Sequence, residues 1–313
     1  MTFLQALSNL QSSNASKSFS SSNTAFLLRI GLGMVFIIGG YNKLSQLLDP
    51  DRAAAIVSSY MGASGYINEF FSIYLFSENS LLTPWAFLTA LSSFELFSGI
   101  ALLIGLMVRP LALIYAFLLW TFVFSLPVVT TPGVELAIKT YTSPAMFVQM
   151  RDIALSGLMF VLYQLGSGRY SVDSQILVNG VTSENVDWNK LGLLLRLSLA
   201  APFLIGGFFG TFEKIATFAT PQYILLAVGI LLLLGIQVRI VGAIVVAIIF
   251  WYMFQKLNLD KSMIANLNGF KREFAFFAAG MIVVLRGTGN AYTPTDIIGR
   301  IKYALGRSSQ VSI

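Results

Sequence analysis

Apolar residues run through this chain in long blocks, broken by single charges and short polar links. Blocks long enough to cross a bilayer, for which about 20 residues suffice, fall at 24–47, 84–107, 110–127, 150–165, 190–212, 221–237, 239–257 and 272–286. They predict an all-α fold, a polytopic transmembrane helical bundle of about eight helices. Val108-Arg109-Pro110 parts the second block from the third, and Gln237-Val238-Arg239 the sixth from the seventh. Links so short force antiparallel hairpins, each with one Arg at the membrane rim.

The pattern then repeats. Leu27-Leu28-Arg29 recurs as Leu194-Leu195-Arg196, and Phe36-Ile37-Ile38-Gly39-Gly40 as Phe203-Leu204-Ile205-Gly206-Gly207. The hairpin segment 99–109 recurs at 229–239, Arg151-Asp152 as Arg272-Glu273, and Gly166-Ser167-Gly168 as Gly287-Thr288-Gly289. The landmarks keep their order, so the expected organisation is two tandem four-helix repeats, parallel because each has an even helix number. The first unit covers 24–173, a linker 174–189, and the second, diverged unit 190–300. Residues 1–23, rich in Ser, Asn and Gln, read as a disordered polar tail without the basic start of a secretory signal, and 301–313 as a second tail. An insertion at 49–83 sets the first unit apart. Its Tyr66, Phe70, Phe71, Tyr74 and Phe76 surround Asn68 and Glu69, which suits either an interfacial anchor or a lid over a lipid-accessible pocket.

Composition narrows the chemistry. Only 11% of the 313 residues are charged, against about 25% in soluble domains, so the expected surroundings are a lipid bilayer. The net charge of +6 comes from scattered residues, which is no nucleic-acid footprint. The chain has no Cys and no His. Thiol redox chemistry, iron–sulfur clusters and haem or metal ligated by His or Cys are therefore excluded within it, and no metal site is expected. Any redox-active group must be a bound organic molecule or belong to a partner.

Charges inside the spans are costly and mark function or paired structure. Glu95 lies in mid-span among Phe94, Leu96 and Phe97, fourteen positions before Arg109. Lys43 follows Arg29, and Asp152 precedes Gly166, by the same spacing. Each therefore lies roughly 21 Å from the inner rim. Lys43, Glu95, Arg151 and Asp152 are expected to form one mutually neutralising polar layer, while Gly39 and Gly40 below it let a helix or a flat ligand come close. The second unit repeats part of this as Lys214, Arg272 and Glu273, but Leu225 stands where Glu95 stood and Glu213 is the candidate substitute. Arg29 and Arg196, near the inner rim, are expected to snorkel towards phosphates.

The arrangement of Arg29, then Gly39-Gly40-x-x-Lys43, then Glu95-x-x-x-Gly99-x-x-Leu102-Leu103-x-Gly105-x-x-x-Arg109, then Gly166-x-Gly168-Arg169-Tyr170-Ser171-x-Asp173, resembles the DoxX/DoxD family. The resemblance is good over 24–173 and weaker over 190–300, where the Glu is missing and Arg-Tyr-Ser is replaced by Asn290-Ala291-Tyr292. It implies a membrane subunit of a respiratory oxidoreductase, like the membrane part of thiosulfate:quinone oxidoreductase, in a bacterial or archaeal cytoplasmic membrane; the even helix count, with a modest positive-inside bias, is the ground for expecting both termini inside. A partner subunit would then supply the electrons, with thiosulfate as one possible donor. On that reading Lys43 and Arg151 hydrogen-bond the quinone carbonyls, Glu95 and Asp152 exchange protons, and Gly39 and Gly40 admit the ring; no covalent cofactor is expected. Two other readings are a non-catalytic scaffold subunit of a larger membrane complex, its charges locking helix register, and a small-solute carrier.

Overall fold

A computed structural model describes residues 19–61, 65–77, 80, 82–126, 139–140, 143–176, 186–210 and 218–299. The expected Lys214 and Glu213, and the tail at 301–313, lie outside the described residues. The chain is an all-α polytopic membrane protein, and each predicted span falls on a helix. These are α1 (Ser21–Leu47), α4 (Pro84–Ile104), α5 (Val108–Ser125), α6 (Ala145–Leu165), α8 (Trp188–Phe209), α9 (Gln222–Leu234), α10 (Val238–Lys256) and α12 (Glu273–Arg286). Short helices α2 (Pro50–Tyr60) and α3 (Glu69–Leu75) form the insertion, α7 (Val172–Ile176) closes the first half, and α11 (Met263–Gly269) precedes α12. A two-residue antiparallel pair, Lys139–Thr140 with Ser143–Pro144, precedes α6.

Five of these helices, α1, α4, α5, α8 and α10, are long and apolar enough to cross a membrane, fewer than the spans expected. The others have physical reasons to differ. α9 starts only after Pro221 and has 13 residues, α12 has 14 residues and opens on Glu273, and α6 carries Arg151 and Asp152. The N-terminal boundary also moves. Helix α1 begins at Ser21, because the Ser20 hydroxyl caps it by accepting from the Asn23 amide at 3.1 Å.

Packing arranges the long helices in two rows. One row runs α4, α1, α12, α10, and the other α5, α6, α8, α9; α1 meets α6 and α8 meets α12 between them. Each row therefore sets two helices of the N-terminal half beside two of the C-terminal half, and the halves meet chiefly where α1 packs on α12 and α6 on α8. Close approach depends on small residues. A Cβ at Gly40 would lie 2.5 Å from the Leu96 backbone nitrogen and 2.7 Å from the Ser92 carbonyl oxygen, so α1 and α4 touch backbone to backbone. Gly40→Ala is expected to force the two helices apart and destabilise the protein by about 1–3 kcal/mol. A thermal-unfolding midpoint unchanged from wild type would show that α1 and α4 can accommodate the methyl group.

The two hairpins share one geometry. Gly105 (φ +78°) ends α4 and Gly235 (φ +71°) ends α9, each followed two residues on by a left-handed non-glycine, Met107 (φ +51°) and Gln237 (φ +46°). In the first hairpin the Asp173 carboxylate accepts from the amides of Met107 (2.8 Å) and Val108 (3.1 Å), satisfying the open N-terminus of α5. The closing motif of the sequence is thus a clasp. Gly168 packs on Ser22, and the Arg169 amide donates to the Ser22 hydroxyl at 2.5 Å.

The expectation that Arg29 and Arg196 snorkel outward is overturned. Both are fully buried. Arg29 donates to the Tyr170 carbonyl, and Arg196 to the Ala291 carbonyl at 2.5 Å. Each guanidinium lies against the glycine that ends its hairpin helix, Gly105 or Gly235, where no side chain competes for the space. The closing loops thus supply backbone carbonyl acceptors for both guanidinium groups.

Candidate functional site

Helix α1 brings Lys43 to the same height as Glu95 on α4, as the rise per residue requires, and the two form an ion pair of 2.5 Å between Nζ and Oε2. Both side chains are largely buried, at 12% and 6% exposure, so each neutralises a charge that would otherwise be stranded. Arg151 and Asp152 were expected to join this pair in one layer of four. They turn instead to the C-terminal half. Arg151 donates from NH1 to Glu273 Oε1 at 2.9 Å, and Arg272 donates to Asp152 at 2.8 and 3.4 Å. The repeated Arg-acid dipeptides thus exchange partners across α6 and α12. Arg151 also lies over the Phe147 ring, 4.4 Å from its centroid.

A cavity of about 350 Å³ opens beside these charges. Its walls are mainly apolar, from Phe36, Leu88, Leu119, Phe122 and their neighbours, and its polar groups converge from three helices and a turn: Lys43, Glu95, Asp152, Lys271 and Arg272. The insertion covers it. Tyr60, Tyr66 and Phe71 line it, while Phe70, Ile73 and Tyr74 on α3 are exposed at 56, 59 and 72%. Asn68 fixes this cover to the end of α5: its amide donates to the Ser125 carbonyl (2.9 Å) and its side chain to the Phe124 carbonyl (3.0 Å). One segment therefore presents an aromatic face outward and lines the cavity inward.

Of the residues singled out from sequence, Glu95, Asp152, Lys43 and Gly39 line the cavity. Gly40 and Arg151 do not: Gly40 is spent on the α1–α4 contact and Arg151 on Glu273. Lys271 and Arg272 were not read as site residues, yet both line it. A signal for Lys271 existed. Aligning Met150-Arg151-Asp152 with Lys271-Arg272-Glu273 puts a cation where the first copy has an apolar residue. Where Glu95 has its counterpart, Leu225 is fully buried in the apolar core. The same core holds Phe218, its ring 5.2–5.3 Å from those of Phe147, Phe203 and Tyr252.

The fold and the site together define a polytopic α-helical membrane protein with a mostly apolar cavity that holds two ion pairs at its wall. Residues 24–127 match the model of the DoxX family. No curated protein and no solved structure matches the chain. The matched stretch contains Lys43 and Glu95, whereas Asp152, Lys271 and Arg272 come from beyond it.

Proposed function

We propose that this chain is a quinone-docking membrane subunit of a respiratory oxidoreductase, built from two tandem DoxX-type units, that receives electrons from a partner subunit. The cavity is the observation that carries this reading. Its volume lies within the roughly 300–1,000 Å³ of small-molecule sites, and apolar walls with a few convergent polar groups suit a quinone head group. The exposed aromatics of α3 support a roof at the bilayer interface, the level at which aromatic side chains are enriched. The tandem organisation is supported by the matched hairpin geometry and by the reciprocal Arg-acid pairs. The resemblance to the membrane part of thiosulfate:quinone oxidoreductase favours thiosulfate oxidation as the electron source.

Reducing a quinone to a quinol takes two electrons and two protons. The partner supplies the electrons, since the chain has no Cys or His to ligate a redox metal. Glu95 is the proton-exchanging group, because Lys43 engages it through Oε2, while Asp152 is clamped through both oxygens by Arg272. Lys43 supplies an N–H donor for a quinone oxygen.

Gentle purification of the native assembly, with copurifying proteins and extractable quinone measured together, tests the proposal. Quinone retained with a redox partner is expected. Copurification with a large complex but no quinone would replace this reading with the scaffold, and solute flux into liposomes would replace it with the carrier.

A further inference from the structure

The charges lining the cavity do not cancel. Lys43 is paired with Glu95 and Arg272 with Asp152. Lys271 is the cation in excess. Its ammonium donates to the neutral side-chain oxygen of Asn268 at 2.7 Å, and among the described residues it makes no salt bridge to a carboxylate. Its position is built rather than incidental. Helix α11 packs on α1, and the Lys271 side chain lies flat against Gly39: a Cβ there would meet Nζ at 3.3 Å, Cε at 3.4 Å and Cδ at 3.5 Å. A glycine on one helix thus makes room for a lysine from the other half of the chain, with its charged end at the cavity wall.

We propose that Lys271 is an anion-recognising residue, so that the cavity prefers flat, apolar molecules bearing one negative charge over neutral molecules of the same shape. This deepens the reading of the cavity as a ligand site. A partly buried ammonium whose partner is neutral keeps unspent electrostatic attraction, whereas the two salt-bridged cations have theirs largely spent. The flat shape follows from the aromatic walls, Phe36, Tyr60, Tyr66, Phe71, Phe87 and Phe122, which favour stacked or edge contacts with a ring. The inference also gives the C-terminal half a role although it lacks the Glu95 equivalent: it completes the site of the N-terminal half with Lys271 and Arg272.

Binding to the full chain in lipid nanodiscs tests this with two matched pairs of probes. The first pair is 2-hydroxy-1,4-naphthoquinone, ionised at neutral pH, and neutral 2-methoxy-1,4-naphthoquinone. The second, which is not a quinone pair, is 2-naphthoate and neutral 2-acetylnaphthalene. The wild-type chain is expected to bind the anion of each pair about 10- to 100-fold tighter, the fold-change of one charge-assisted hydrogen bond. Lys271→Gln should erase the preference while keeping the affinity for the neutral probes, and Lys271→Arg should retain it. Unchanged neutral-probe binding in Lys271→Gln certifies that its cavity is folded. Discrimination within the naphthalene pair but no quinone binding would uphold the anion site and sink the quinone reading. An anion preference that survives in Lys271→Gln, or no preference in wild type, would overturn the role of Lys271 whatever becomes of the quinone.

Discussion

Glu95→Gln is expected to leave the protein assembled in the membrane while slowing electron transfer to quinone by about 10²–10⁴-fold, the usual effect of losing a positioned acid–base group. Glutamine keeps the length of the side chain and offers Lys43 a carbonyl acceptor, so the contact now made at 2.5 Å has a neutral replacement. It cannot ionise, and protons for the quinol must then come by another route. Glu95→Leu makes the complementary test. Leucine already stands at the matched site, as the buried Leu225, so its shape is tolerated, but Lys43 loses its partner and modest destabilisation follows. Turnover per assembled complex, with assembly quantified separately, discriminates the readings. Wild-type turnover in Glu95→Gln would remove Glu95 from the chemistry and shift the preference to the scaffold reading, in which both substitutions act on assembly alone.

The second large effect belongs to the pair that does not face the cavity. Arg151 and Glu273 are 5% and 1% exposed. Glu273→Ala strands a guanidinium in a low-dielectric interior, and the expected loss is about 3–5 kcal/mol. Replacing both partners with apolar residues of similar size, Arg151→Met with Glu273→Leu, should recover most of it, because the desolvation of both charges disappears with their attraction. The coupling between the two single variants and the double variant is read from unfolding midpoints in detergent or nanodiscs. Single variants as stable as wild type would show that the pair is solvated in the membrane-embedded protein. The corresponding change at Asp152 should be milder for stability, since Arg272 borders the cavity and is 18% exposed.

The contact between Lys43 and Glu95 was legible from the chain because each sits fourteen residues from a rim arginine, and helical rise converts equal spacing into equal height. Gly40 was legible too, as a residue small enough for close packing, though not which surface it would meet. The exchange of partners between Arg151-Asp152 and Arg272-Glu273 was not. A repeat shows which residues correspond, but it is silent on which faces of the two copies meet. Lys271 escaped for the same reason: its contact with Gly39 is made only where the C-terminal half packs on α1. Arg29 and Arg196 misled because long basic side chains near a rim usually reach outward, and the carbonyls they bind come from loops more than ninety residues away. Their guanidinium contacts depend on tertiary structure that no local pattern encodes.

The reciprocal pairs also set a timetable for synthesis. Arg272 lies 120 positions beyond Asp152, and Glu273 lies 122 beyond Arg151. At about 5–20 residues per second, the ribosome takes roughly 6–24 s to make the stretch between them. Lys43 has no such wait, because Glu95 follows in the next long helix. Throughout that interval α6 carries two ionised groups whose final partners do not yet exist, and hydrocarbon is a poor place for them. A helix with such charges is expected to favour a hydrated depth until α12 arrives. Helix α12 then completes the burial of α6, and the order of translation becomes an order of assembly.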